Sequence, residues 1–472
     1  MLVETDLRSY RFIALSHCWG SSKGSLNTVP KTTTHNIASH EIMGISTQSL
    51  PKTFQDVIDT TWRLGVEYIW IDSLCIIQDD DNDKAIELPN MGYIFGNAYL
   101  VIAATLAENG DYGLYHGRTR WMFTVSDADE HILKVKANHP SQHSIWNNLK
   151  GFWAAPHLPL LYRAWAFQER LLARRIIHFT TEELIWECGT HIECECGELL
   201  NPAIIPKLEV VRKSLRTSLK TEYANVLLRG SARDRLRFWT FICEQYSARE
   251  ITFSQDRLPA LSSVARQFDP YGDIGRYLAG IWECSLPCGL MWWASCKGIH
   301  SAGATSHWRL RLQRHNVPTW SWLSIHGWVS MPEEAPKPRL RVLNVEYVCC
   351  GPDKYGASTI GIIHVASHVA PVKVVVGDRH EDVVVRKLGG KGGVVLQADT
   401  RPFEYSHEDL QNEQLLAVMF ADGSKLVPSI ILKLVPDGIQ TDQPRERYQR
   451  LGLANCPRAW FHEEAERVIA LI

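Results

Sequence analysis

No stretch of this 472-residue chain comes near the ~20 consecutive apolar residues that a membrane-crossing helix needs. No sign of charge dominates either. Lys+Arg number 50 against 52 Asp+Glu, a formal net charge of −2, so global charge points to neither nucleic acid nor a membrane surface. The opening residues MLVETDLRSYRF lack the basic start and apolar core of a signal peptide, which makes the expected location cytoplasmic. Twelve cysteines show no even spacing, and a chain of this length does not need a disulfide framework to hold its core. Internal repeats and low-complexity tracts are absent. GGKGG at 389–393 lacks the following Ser/Thr and the spacing of a phosphate loop and reads as a turn.

What is present suits a globular protein of two or three domains: 45% hydrophobic and 22% charged residues, with seventeen tryptophans expected to build aromatic cores. RFIAL at 11–15 reads as a buried strand that releases Ser16, His17, Cys18, Trp19 and Gly20. Residues 51–64 read as an amphipathic helix with Phe54, Val57, Ile58 and Trp62 on one face. Residues 66–72 read as a second strand ending at Asp72. If the two strands are parallel, as strand–helix–strand units are, Ser16, His17 and Asp72 converge at one sheet edge, where open α/β sheets bind ligands. Helical character returns at 83–95, interrupted by Pro89. A buried strand is expected at 98–104, a charged helix at 163–175 and short strands at 176–179 and 183–188. Residues 236–300 look helical and 340–472 β-rich.

Several groups invite chemistry. Asp72 at a strand end suits either a ribose hydroxyl or the capping of the next turn. Ser16, His17, Trp19 and Gly20 suit a nucleotide pocket, through close backbone approach and a stacking face, or a structural turn. Arg163 and Gln168 open a set of polar side chains on one helix, with Glu169 and Arg170 beside them. Arg163 suits a phosphate, and an interdomain salt-bridge network is the competing reading. Cys75 reads as a buried thiol. Cys188, His191, Cys194 and Cys196 offer four soft ligands, but their spacing fits no familiar zinc module, so no metal is assigned. The basic stretch 207–237, with nine Lys/Arg against three Asp/Glu, reads as a solvated helical face.

Five ordered blocks resemble the fungal heterokaryon incompatibility (HET) domain family: ALSHCWG at 14–20, LPKTFQDVI at 50–58, GVEYIWIDSLCIIQ at 65–78, Glu87–Met91–FGNA, and RAWAFQERLL at 163–172 closed by WEC at 186–188. The resemblance implies an α/β domain over 8–190, a small mostly parallel sheet with flanking helices, similar to Toll/interleukin receptor (TIR) domains. A mainly helical Trp-rich region at 191–335 and a β-rich region at 336–472 would follow. It also implies a role in non-self recognition and programmed cell death, with self-association or an upstream NLR-type partner as trigger. Some TIR domains cleave NAD with a glutamate. By that analogy Glu87 and Asp72 are the expected catalytic carboxylates and NAD the expected substrate, with no cofactor assigned. Pro89 departs from the family pattern beside Glu87, and His17 is not the family's usual residue. The alternative is a signalling module without chemistry of its own.

Overall fold

The computed structural model describes residues 1–4, 10–20, 29–115, 122–126, 132–136, 146, 158–181, 183–197, 199, 218–294, 310–311, 317–332, 337–351, 353–376, 383–390, 392–399, 414–423, 425–435, 446–462 and 465–472. The chain divides into two units, Met1–Gly230 and Ser231–Ile472. No helix among the described residues is long and apolar enough to cross a membrane.

In the first unit β1 (Phe12–Ser16) is buried at every position, the pattern of a strand covered on both faces. A short helix α1 (Ile37–Ile42) follows, then α2 (Lys52–Arg63), β2 (Tyr68–Trp70), α3 (Asp72–Cys75), α4 (Asp81–Asn97) and β3 (Leu100–Ala103). A hairpin of β4 (Met122–Ser126) and β5 (Ile132–Lys136) precedes α5 (Ala164–Leu172), β6 (Arg175–Phe179), β7 (Leu184–Cys188) and β8 (Ile192–Cys194). The main sheet runs β2-β1-β3-β6-β7-β8. Its first four strands are parallel, with Phe12 opposite Tyr68, Ser16 opposite Ala103 and Ile102 opposite Ile177. The last two are antiparallel. Apolar side chains pack on both faces: Phe54, Val57 and Ile102 on one, Met91, Phe95, Val101 and Ala166 on the other.

Three local expectations change. Trp62 does not join the buried face of α2 and is 77% exposed. Eight residues after Phe54 it has rotated by about 80° from that face, whereas Thr61, seven residues on, returns to it and is buried. The strand expected to reach Asp72 ends at Trp70, and Asp72 opens a single helical turn in which the amide of Cys75 bonds the carbonyl of Ile71 at 2.8 Å. Pro89 does not break its helix: α4 runs through it. The carbonyl that loses its donor belongs to Ala85, an exposed residue, where water is available to orphaned helix groups. Asp80 caps the helix, accepting from the amides of Asn82 (2.8 Å) and Asp83 (3.4 Å).

The second unit begins with helices Ala232–Ser247 and Pro259–Phe268. The helical expectation for 236–300 fails beyond Phe268. Gly272, Gly275 and Gly280 adopt positive φ there, and Tyr277–Leu278 pairs with Ile281–Trp282 in a short antiparallel ladder. Trp282, Trp292, Trp320 and Trp322 are fully buried, as aromatic cores require. The β-rich end is a nine-stranded sheet built on the long strand Ser358–Val376, which pairs with Arg341–Cys349, Val383–Lys387, Leu415–Met419 and Glu466–Leu471. Residues 207–217 of the basic stretch lie outside the described residues.

Candidate functional site

Because β1, β2, β3 and β6 are parallel, their C-terminal ends lie along one sheet edge. β1 delivers Ser16, His17, Trp19 and Gly20 there, and the turn after β2 delivers Asp72. The indole Nε1 of Trp19 donates to Asp72 Oδ2 at 2.9 Å, and the amide of Ser73 donates to Asp72 Oδ1 at 2.7 Å. Asp72 therefore accepts from the next amide of its own turn and also faces the β1 loop. His17 Nδ1 lies 3.7 Å from Asp72 Oδ1, beyond hydrogen-bond reach. Neither ring nitrogen of His17 has a hydrogen-bond partner among the described residues, and the ring packs edge-on against Phe54 at 5.0 Å. Burial lowers the His17 pKa, with Asp72 opposing and Arg163 adding to the shift, so the imidazole is neutral at neutral pH.

The helix α5 closes the edge. Ser16 Oγ donates to Glu169 Oε2 in a short hydrogen bond between two buried side chains. Burial raises the Glu169 carboxyl to about 8, and the nearby Asp72 adds to this, while the Ser16 bond and Arg163 pull the other way. Glu169 thus carries its proton at neutral pH. Arg163 sits at the N-cap of α5, half-buried, within electrostatic reach of His17, Cys18 and Glu169. Gln168 is fully buried on the same helix. Trp19 is half-buried beneath Lys31, whose Nζ stands 5.1 Å from the ring centre. Gly20 has φ +86°, and a Cβ there would stand 3.0 Å from Asn109 Cβ, so this turn requires glycine.

Residues 12–169 match the family model described as Heterokaryon incompatibility protein (HET). The chain carries a HET domain. The matched span opens at β1 and closes on Glu169, so the family model covers both partners of the Ser16–Glu169 bond. Comparison with curated proteins and with solved structures finds no match in either.

Glu87, the glutamate first expected to be catalytic, lies half-buried on α4 of the HET domain. Burial raises its pKa, with Asp83 adding. It shares electrostatic reach of Cys75 with Asp72, but among the described residues no hydrogen bond or ion pair joins it to the Ser16–Glu169 cluster. Cys75 is a half-buried thiol pushed up to about 12 by desolvation and is no nucleophile at neutral pH.

The polar helix also carries an ion pair. Arg170 pairs bidentately with Glu187 of the same unit, Nε to Oε2 at 2.7 Å and Nη2 to Oε1 at 3.0 Å, both buried. Lys220 Nζ donates to the carbonyls of Arg170 (2.8 Å) and Leu171 (3.0 Å) at the end of α5. Adjacent Glu169 and Arg170 thus serve opposite sides of one helix. In sequence Glu169 is one of four polar groups on this helix, and nothing in its spacing singles it out from Arg163, Gln168 and Arg170. The signal that would have found it is the setting AWAFQERLL, three polar residues in a helix apolar on every other side.

Proposed function

We propose that the HET domain cleaves the N-glycosidic bond of a nucleotide, with NAD the first substrate to test and Asp72 and Glu169 the working carboxylates. The supporting observation is the placing, at one parallel-sheet edge, of a buried carboxyl held up to about 8 beside a second carboxylate addressed by N–H donors. Two carboxyl groups in unlike environments are the division of labour of glycosidic hydrolysis. The reaction joins NAD and water and yields ADP-ribose, nicotinamide and a proton. Nicotinamide leaves as a neutral ring and needs no acid. Asp72 faces the positive charge that develops on the ribose, and Glu169, once ionised, takes the proton of the attacking water. Trp19 offers the stacking face and Arg163 the phosphate contact.

In this reading the protein is an effector of non-self recognition whose cell-killing step is loss of NAD. Self-association or an NLR-type partner would assemble it, and the exposed Trp62 and Leu64 at the end of α2 suit such a contact. One observation favours the alternative of a module without chemistry: the Ser16–Glu169 and Trp19–Asp72 bonds by themselves fasten α5 and the β1 loop to the sheet.

The test is NAD consumption by the purified protein at concentrations that permit self-association. Glu169→Gln and Asp72→Asn are expected to lower the rate by ~10²-fold or more, Glu87→Gln to leave it largely intact, and the wild-type rate to rise with pH through about 8. A rate falling through that pH would make Glu169 an acid. Loss of activity in Glu87→Gln alone would return the chemistry to α4. No turnover by the wild type would favour the module.

A further inference from the structure

The four soft ligands of CGTHIECEC do not gather in one place. Cys188 sits at the β7–β8 turn with Thr190 Oγ1 at 3.1 Å and His191 Nδ1 at 3.4 Å. Cys194 lies opposite Ile185, three positions down the ladder, a separation of about 10 Å. At that far end a different trio forms. Glu183, just before β7, meets Cys194 and Cys196, and one ligand atom from each lies within 4.8 Å of the others. Strand alternation alone would put Cys194 and Cys196 on one face about two residues' rise apart. β8 ends at Cys194, however, and the turn that follows, with Gly197 at φ +74°, brings the two sulfurs to 3.2 Å.

We propose that Glu183, Cys194 and Cys196 bind a zinc ion. Two thiolates and a carboxylate are a zinc donor set: the sulfurs disfavour magnesium and calcium, and the carboxylate disfavours copper(I). The surroundings are those of a thiolate site. The amide of Leu199 donates to Cys194 Sγ at 3.3 Å, and the amide of Cys196 donates to Glu183 Oε2 at 3.2 Å, fixing both donors from the second shell of contacts. Glu183 is buried while both cysteines are half-buried, which leaves a path of entry. Among the described residues three side chains reach the point, and water can supply the fourth donor of a tetrahedral ion. Binding converts two thiols to thiolates and releases their two protons to solvent. The ion would tie the start of β7 to the end of β8, a three-residue strand at the sheet edge.

The test is the metal content of the full chain, produced with added zinc and purified in reducing, chelator-free buffer. About one zinc per chain is expected, lost in Cys194→Ser and in Cys196→Ser and kept in Cys188→Ser. Glu183→Gln keeps both sulfurs and should weaken binding by at least the ~10-fold that losing an outer contact costs. Cobalt substitution guards against variants that merely misfold: the wild type and Cys188→Ser should show the same thiolate-to-metal absorption, and any Cys196→Ser protein with native circular dichroism should show clearly less. A folded wild type that takes up neither zinc nor cobalt would overturn the proposal. So would zinc that survives loss of Cys194 and Cys196, or the two sulfurs found joined as a disulfide under these conditions.

Discussion

Replacing Glu169 by glutamine should change how the stability of the HET domain depends on pH. The carboxyl lies near its ordinary 4.5 in the unfolded chain and is raised to about 8 in the native one. Between those values the native state holds a proton that the unfolded state has released. The free energy of unfolding therefore falls as pH rises, by about 1.4 kcal/mol per pH unit from this group alone. Across the whole window the loss is roughly 5 kcal/mol. The stability is complete below 4.5 and gone above about 8, the reverse of a salt-bridged carboxylate. Glutamine is neutral at every pH, has nearly the same shape and still accepts from Ser16 Oγ. The variant should therefore resemble the wild type in acid and exceed it in mild base. Urea titrations from pH 5 to 9, read by pulse proteolysis with cleavage mapped within residues 12–169, measure the difference. Parallel stability curves for the two proteins would refute the reasoning, because they would mean that Glu169 is ionised in the folded chain.

Three further substitutions probe the frame around the site. Arg170→Met leaves the buried Glu187 facing only His178, 3.4 Å away, and should cost about 3–5 kcal/mol in urea unfolding. Gly20→Ala forces a Cβ into a positive-φ position 3.0 Å from Asn109 Cβ and should cost about 1–2 kcal/mol, seen as a lower melting temperature. Pro89→Ala restores a missing donor inside α4 and should stabilise by roughly 1–3 kcal/mol in the same assay, with NAD consumption unchanged if Glu87 takes no part.

The strand ends were legible because two unlike signals agreed. FIALS and YIW are continuous apolar runs joined through a helix of the right period, and such a unit has essentially one parallel arrangement. From that alone Ser16, His17 and Asp72 had to share an edge, and the Trp19–Asp72 bond is the local outcome. Boundaries were less legible. Asp72 looks like the last residue of a strand, yet the strand ends two residues earlier at Trp70 and the Asp72 side chain accepts from the next amide inside the turn. Pro89 was over-read for a related reason. A proline inside a helix costs stability through its missing N–H and its ring's clash with the carbonyl four residues back, and α4 bears that cost beside the exposed Ala85 without ending.

Glu169 was illegible for a different reason, and that reason bears on its role. In sequence it is one charge beside another on a helix, which usually means a surface pair. Only the packing of α5 between the sheet and its neighbours buries eight of its nine residues and sends Glu169 and Arg170 to separate partners. Arg170 receives a full carboxylate partner in Glu187, so its charge is compensated and its function structural. Glu169 receives a serine hydroxyl, whose donated bond favours the anion but is outweighed by the cost of burying it. A helix that needed only stability would place an apolar residue there. A carboxyl kept neutral by burial, next to a second carboxylate at a ligand-binding sheet edge, is costly unless its ionisation is used, and that cost is the physical argument for placing the chemistry on Glu169 rather than on the half-buried Glu87.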